Sequence, residues 1–204
     1  MITYLTGDAT QPDPISETQG GPQLIVHICN NRGGWGAGFV LALSKRWPEP
    51  ERHYRRWHKK GDNGLGLNQE LVRFELGQIQ IVKVIPTIDR PKDYSKGKFA
   101  PPDVYVVNMI AQEGYGPGND QLHRSDEADG KPPIRYDALD SCLAKVAEWV
   151  ESPSSVIGCG TVHMPRIGCG LAGGRWGEIE PLIQKNLPTT PVYVYDLAGA
   201  HFNP

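Results

Sequence analysis

The sequence holds little that would serve a membrane, a disulfide framework or a polyanion. No run approaches the roughly 18 apolar residues that span a bilayer. Met1 to Thr10 lacks the basic start and apolar stretch of a secretory leader. The formal net charge is only -2, with a pI near 6.3, so bulk charge gives no reason to expect nucleic acid as a partner. The 4 cysteines, Cys29, Cys142, Cys159 and Cys169, form no CxxC pair. Without a secretory context they read as reduced thiols of a cytoplasmic protein. The nearest approach to a metal-ligand group is Cys159, His163 and Cys169, which lacks the clustering zinc needs, so no metal is expected. Glycine and proline are plentiful instead, 24 and 18 of 204 residues, beside 39% hydrophobic residues. That is enough apolar material for one core with many shaped loops.

Strand-like and helix-like stretches alternate along the chain. Ile2 to Thr6, Leu24 to Cys29, Val104 to Ile110, Val162 to Ile167 and Val192 to Tyr195 read as strands. Leu71 to Leu76 and Ile79 to Ile85 flank Gly77 and predict a hairpin. Gly36 to Trp47, Pro50 to Gly61, Ile134 to Val150 and Glu178 to Leu187 read as helices, the third with an apolar stripe at 139, 142, 143, 146 and 150. Pro165 places its strand at a sheet edge or puts the proline at a strand end. The interleaving predicts a three-layer α/β/α domain with a mixed central sheet, spanning residues 1–204. Segments 87–103 and 113–133, rich in proline, glycine and charge, are expected to be surface insertions.

Two glycine clusters sit where a strand should hand over to a helix. Asn30, Asn31, Arg32, Gly33, Gly34, Trp35, Gly36, Ala37 and Gly38 follow the run ending at Cys29. Gly168, Cys169, Gly170, Leu171, Ala172, Gly173 and Gly174 follow Ile167. Glycine lets the backbone approach a ligand closely, and amides at a helix start favour phosphate oxygens. Two such loops can grip one diphosphate from both sides. Gly168, Gly170 and Gly173, with Asp196 beyond, also spell the dinucleotide fingerprint. That fingerprint opens a βαβ unit with several strands still to come, whereas here one helix and one strand remain.

Lys45 to Lys60 carries seven Lys or Arg against two Glu, with Trp47, Tyr54 and Trp57 interleaved. Basic and aromatic residues together can hold RNA. On a helix, Tyr54 and Trp57 fall on one buried stripe and leave the charges solvated, which is the reading preferred here. His27 and Cys29 share a strand face, which permits a Cys–His pair but equally a packed brace for the glycine loop.

Three stretches in order resemble a known family. Gly7-Asp8-Ala9-Thr10 follows the first strand. His27-Ile28-Cys29-Asn30 leads into Gly34-Trp35-Gly36-Ala37-Gly38. Met164-Pro165-Arg166-Ile167-Gly168-Cys169-Gly170-Leu171 precedes Trp176. Together they resemble a macrodomain, of the branch that includes terminal ADP-ribose protein glycohydrolase, the yeast ADP-ribose 1″-phosphate phosphatase and similar actinobacterial macrodomains. The resemblance implies an ADP-ribose cleft at the strand ends, with ADP-ribose or an ADP-ribosylated protein as partner. No cofactor, membrane or second copy of the chain is implied. It places Asp8 at the adenine amino group with Ala9 beside it, and Tyr195 against the adenine face. Asn30, Gly33, Gly34, Trp35, Gly36, Ala37 and Gly38 would surround the distal ribose. Ile167, Gly168, Cys169, Gly170, Leu171 and Ala172 would wrap the diphosphate.

The glycohydrolase branch carries a lysine and an aspartate where this sequence has Gln112 and Ala172. A glutamine forms no Schiff base and an alanine accepts no proton, so that mechanism does not transfer. The expected activity is hydrolysis of mono-ADP-ribose from modified acidic side chains. Asn30 would hold a ribose hydroxyl or water, Trp35 would clamp the ring and Gln112 would orient a polar group. A non-catalytic ADP-ribose reader and an ADP-ribose 1″-phosphate phosphatase are the alternatives.

Overall fold

The computed structural model describes residues 1–12, 21–61, 72–85, 102–114, 132–151 and 160–197. The two expected insertions lie almost wholly outside them. The elements run β1 (Ile2–Thr6), β2 (Gln23–Asn30), α1 (Phe39–Arg46), α2 (Glu49–Lys60), β3 (Ile79–Val84), β4 (Val104–Gln112), α3 (Tyr136–Glu151), β5 (Thr161–Pro165), α4 (Trp176–Asn186) and β6 (Val192–Asp196). The strands form one sheet in the order β1-β6-β5-β2-β4-β3. All neighbours are parallel except β3, which runs antiparallel to β4. The mixed α/β/α architecture read from the sequence is the one observed.

Strand alternation sorts the core into two layers. Leu24 and Val26 of β2, with Val107 and Met109 of β4, pack against Leu139, Leu143 and Val146 of α3 and Ile179 of α4. Ile25 and Cys29 of the same β2, with Val82 and Val106, face Leu43 of α1 and Tyr54 of α2. The central strands are buried on both faces, as a largely parallel sheet requires. Helix α2 has its ends well specified: Pro50 in the first turn, Glu49 and Glu51 at the positive end of the dipole, His58, Lys59 and Lys60 at the negative end, and Gly61 left-handed at the stop.

Three expectations shift. The hairpin between Leu71–Leu76 and Ile79–Ile85 does not form: residues 72–76 make bends and a turn, and β3 pairs with β4 instead. Phe74 packs its ring on Tyr54 and Trp57, and the Trp57 indole donates to the Val72 carbonyl at 2.7 Å. The segment therefore covers the aromatic stripe of α2 rather than extending the sheet. Helix α1 begins at Phe39, not Gly36, because Gly38 holds φ at 77° and cannot be a helical residue. Pro165 ends a strand flanked by β2 and β6, so it marks a strand end and not an edge.

Candidate functional site

The topology puts the two glycine loops side by side. β2 and β5 are adjacent and parallel, with Leu24 opposite Val162 and Ile25 opposite His163. The chain leaves the end of β2 for α1 on one face of the sheet, and leaves β5 for α4 on the other. Connections that diverge from neighbouring parallel strands open a crevice at their carboxyl ends. A cleft of about 950 Å³ lies there, lined by His27, Asn30, Trp35, Arg55, Gln112, Arg166 and both loops. Leu171, 62% exposed, reaches across so that a side chain on Gly38 would meet it at 3.5 Å.

The first loop is braced from within. Asn30 accepts the amides of Arg32 and Gly34 on Oδ1, each at 3.0 Å, and its Nδ2 donates to the Gly34 carbonyl at 2.8 Å. The Tyr54 hydroxyl donates to the Asn30 carbonyl and, at 3.2 Å, to Oδ1. The Asn30 side chain thus shapes the loop, and it is only 8% exposed. Trp35 stands edge-on to His27 at 5.4 Å, and its indole donates to Ser44 Oγ at 2.7 Å. Gly33 holds φ at 74°, and a Cβ there would sit 2.4 Å from the His58 ring, so only glycine fits. Among the described residues the amides of Trp35 to Gly38 meet no acceptor.

The second loop is an open cradle. The Gly173 amide donates to the Gly170 carbonyl at 2.9 Å and that of Gly174 to the Gly168 carbonyl at 2.8 Å. Ile134 donates to the Ala172 carbonyl, tying the loop to the chain entering α3. Gly168 holds φ at 76°, and a Cβ there would lie 2.5 Å from Ile134. The amides of Gly168, Gly170, Leu171 and Ala172 find no acceptor among the described residues. Concave backbone with unanswered N–H groups on two facing loops has the chemistry to accept phosphate oxygens.

Gln112 stands at the end of β4 through a bulge. Cys29 pairs with Ile110 but Asn30 pairs with Gln112, so Ala111 is the extra residue. The Gln112 carboxamide lines the cleft and donates to the Gly114 carbonyl at 2.9 Å. Ala172 also lines the cleft, and among the described lining residues there is neither a carboxylate nor a lysine.

At the cleft floor, burial pulls His27 down to about 4, although its bond to Asn108 at 2.7 Å opposes that. Asn108 donates its Nδ2 to Pro50 and Gln80, so its Oδ1 accepts from His27 and leaves Nδ1 without a proton. Cys29 lies 3.7 Å from that nitrogen, its thiol pushed well up by burial. This is a neutral packed pair, not an ionised nucleophile.

Of the expected ligand residues, Asn30, Gly34, Trp35, Gly36, Ala37, Gly38, Ile167, Gly168, Gly170, Leu171, Ala172 and Gln112 line one cleft, while Asp8, Ala9, Gly33, Cys169 and Tyr195 do not. Asp8 follows β1 at the same end of the sheet and accepts from Thr10 and Gln11. Burial pushes its carboxyl up, but those bonds outweigh it and leave the group below its ordinary value. Tyr195 is 3% exposed, its hydroxyl bonded to His163 at 2.9 Å. Cys159 lies outside the described residues, and His163 is closed in by Thr161 and Tyr195. Arg55 and Arg166 line the cleft without having been singled out. Arg166 makes a two-pronged pair with Asp196 at 2.7 and 2.9 Å and lies over the rings of Tyr4 and Trp176. Only the position of Arg166 inside the motif Met164 to Leu171 hinted at it.

No protein-family model matches the chain. It is 33% identical over 189 residues to an ADP-ribose 1″-phosphate phosphatase of Candida albicans, covering 91% of this chain and 93% of that one. It is 37% identical to the structure of a macrodomain protein from Streptomyces coelicolor, with a TM-score of 0.62 and coverage of 96% and 99%. It is also 28% identical over 205 residues to chromodomain-helicase-DNA-binding protein 1-like of Danio rerio, but spans only 16% of that protein's length.

Proposed function

The chain belongs to the macrodomain family, and from that membership we propose that it grips ADP-ribose between its two glycine loops and hydrolyses the bond at the distal ribose of mono-ADP-ribosylated acidic side chains. The observation that carries this is the pair of facing loops whose amides, those of Trp35 to Gly38 and of Gly168, Gly170, Leu171 and Ala172, have no acceptor among the described residues. The second loop suits the diphosphate. The first, stiffened by Asn30 and walled by Trp35, suits the ribose beyond it.

The ester joins an anomeric carbon to a carboxylate, which leaves readily without a strong acid. Catalysis then rests on holding the ribose against Trp35 and placing a water at the anomeric carbon. No carboxylate or lysine among the described lining residues offers a strong base or a Schiff-base nucleophile, so the reaction proceeds without a sugar–enzyme adduct. Borohydride trapping during turnover leaves the protein mass unchanged. An adduct on any lysine contradicts this mechanism. A second reading, phosphatase action on ADP-ribose 1″-phosphate, is favoured by the nearly full-length likeness to the Candida albicans phosphatase.

The deciding experiment offers glutamate-linked ADP-ribosyl protein and ADP-ribose 1″-phosphate side by side. Free ADP-ribose from the first supports ester hydrolysis. Phosphate from the second, without the first, replaces it with the phosphatase reading. Binding with neither product leaves a reader. Trp35→Ala lowers the rate on the preferred substrate by about a hundredfold, because it removes the wall that holds the distal ribose.

A further inference from the structure

Arg55 stands out on α2 because it lines the cleft. Its Nε donates to Glu51 at 2.8 Å, Nη1 donates to the Gly33 carbonyl and Nη2 to the Trp35 carbonyl, each at 3.2 Å. Glu51 in turn accepts from Ser44, which accepts from the Trp35 indole. The guanidinium is therefore fixed in place by a closed ring of contacts running back to the ribose wall. One N–H on each terminal nitrogen remains without an acceptor among the described residues. The side chain is 46% exposed and lines the cleft. Arg166 is at the end of β5, beside β6, whereas α2 packs over β3 and β4, so the two guanidiniums occupy opposite ends of the crevice.

We propose that Arg55 is an oxyanion-reading subsite for the group carried on the anomeric oxygen of the distal ribose. This rests on the assignment of the first loop to that ribose. A planar guanidinium with paired N–H groups suits a phosphate or a carboxylate. The two candidate substrates present that chemistry at different moments. A 1″-phosphate is anionic when it binds. A carboxylate ester becomes anionic only as its bond to the anomeric carbon breaks: the electron pair leaves with the carboxylate oxygen, water supplies the new hydroxyl, and the spare proton passes to solvent. Arg55 meets both at the same place.

The test compares ADP-ribose with ADP-ribose 1″-phosphate by calorimetry for the wild type, Arg55→Gln and Arg52→Gln. Arg52 is an exposed arginine on the same helix that does not line the cleft. The wild type favours the 1″-phosphate. Arg55→Gln weakens it by about tenfold or more and changes ADP-ribose binding less than about threefold, while Arg52→Gln leaves the ratio of the two affinities unchanged. Kinetics separates the sources. A phosphate substrate shows Arg55→Gln in KM, and a carboxylate ester shows it in kcat, because there the charge exists only in the transition state. Equal loss of both ligands in Arg55→Gln reduces Arg55 to a loop brace and overturns the proposal while ADP-ribose binding still stands. An equal fall of the ratio in Arg52→Gln overturns it in favour of a diffuse helix field. A wild type that binds neither ligand defeats the functional reading itself.

Discussion

Gly170→Glu loses ADP-ribose affinity by about a hundredfold or more and keeps the wild-type melting temperature. Both halves follow from geometry. A Cβ at Gly170 meets nothing within 4 Å, and the residue is not in the left-handed region, so the fold tolerates a side chain. The glutamate places a carboxylate where the cradle offers its amides to phosphate, and like charges at that separation repel by several kcal/mol once partly desolvated. Gly168→Ala makes the opposite separation. Its φ of 76° and the 2.5 Å approach to Ile134 make it destabilising, while adding no charge to the cleft. Calorimetry and thermal melting on both variants check the pair. Retained affinity in Gly170→Glu reduces the second loop to a turn.

The second large effect is acid unfolding that begins above the carboxylate range. Burial pulls His27 to about 4 and His163 to about 3, against an ordinary value of 6.5. Both are neutral in the native state at pH 6, whereas the unfolded chain begins to protonate them near 6.5. Between pH 6.5 and 4 the unfolded state binds more protons, so stability falls as pH falls. The gap for His27 alone corresponds to about 3 kcal/mol, and His163 adds a term of at least that size, together a large share of an ordinary domain's 5–15 kcal/mol. Exposed ion pairs such as Lys185–Asp140 add their loss mainly below about pH 4, so the upper window isolates the histidines. The melting temperature drops steeply from pH 6.5 to 4.5. His163→Gln flattens that slope while lowering stability at neutral pH. An unchanged slope in the variant refutes the assignment.

What could be read from the sequence follows from where the information is local. The two-sided burial of β2 and β4 shows as unbroken apolar runs, and the α3 stripe shows as helical spacing. The handovers from strand to glycine loop to helix were equally plain. The Leu71–Leu76 strand failed because Phe74 answers to the aromatic stripe of α2, a tertiary partner that periodicity cannot see. The sequence shows Tyr195 as a strand-end aromatic, but not that it is buried with its hydroxyl bonded to His163 on the neighbouring strand. Asn30 looked like a ligand donor, and only the fold reveals that its amide closes the loop behind it. Arg55 was hidden among seven basic residues. Nothing in helical spacing distinguishes the one guanidinium that turns toward Gly33 from those that face solvent.

The neighbouring placement of β2 and β5 has a consequence for how the protein comes into being. The first glycine loop is made early in synthesis and the second late, and they become one cleft only when β5 zips onto β2 across most of the intervening chain. Such sequence-distant pairing is a slow step in folding, because loop closure precedes its reward. A nascent chain that has emerged as far as β4 therefore presents the first loop without the second. A ligand that needs both loops acts only once the β2–β5 seam has closed, and its binding energy adds to the stability of that seam.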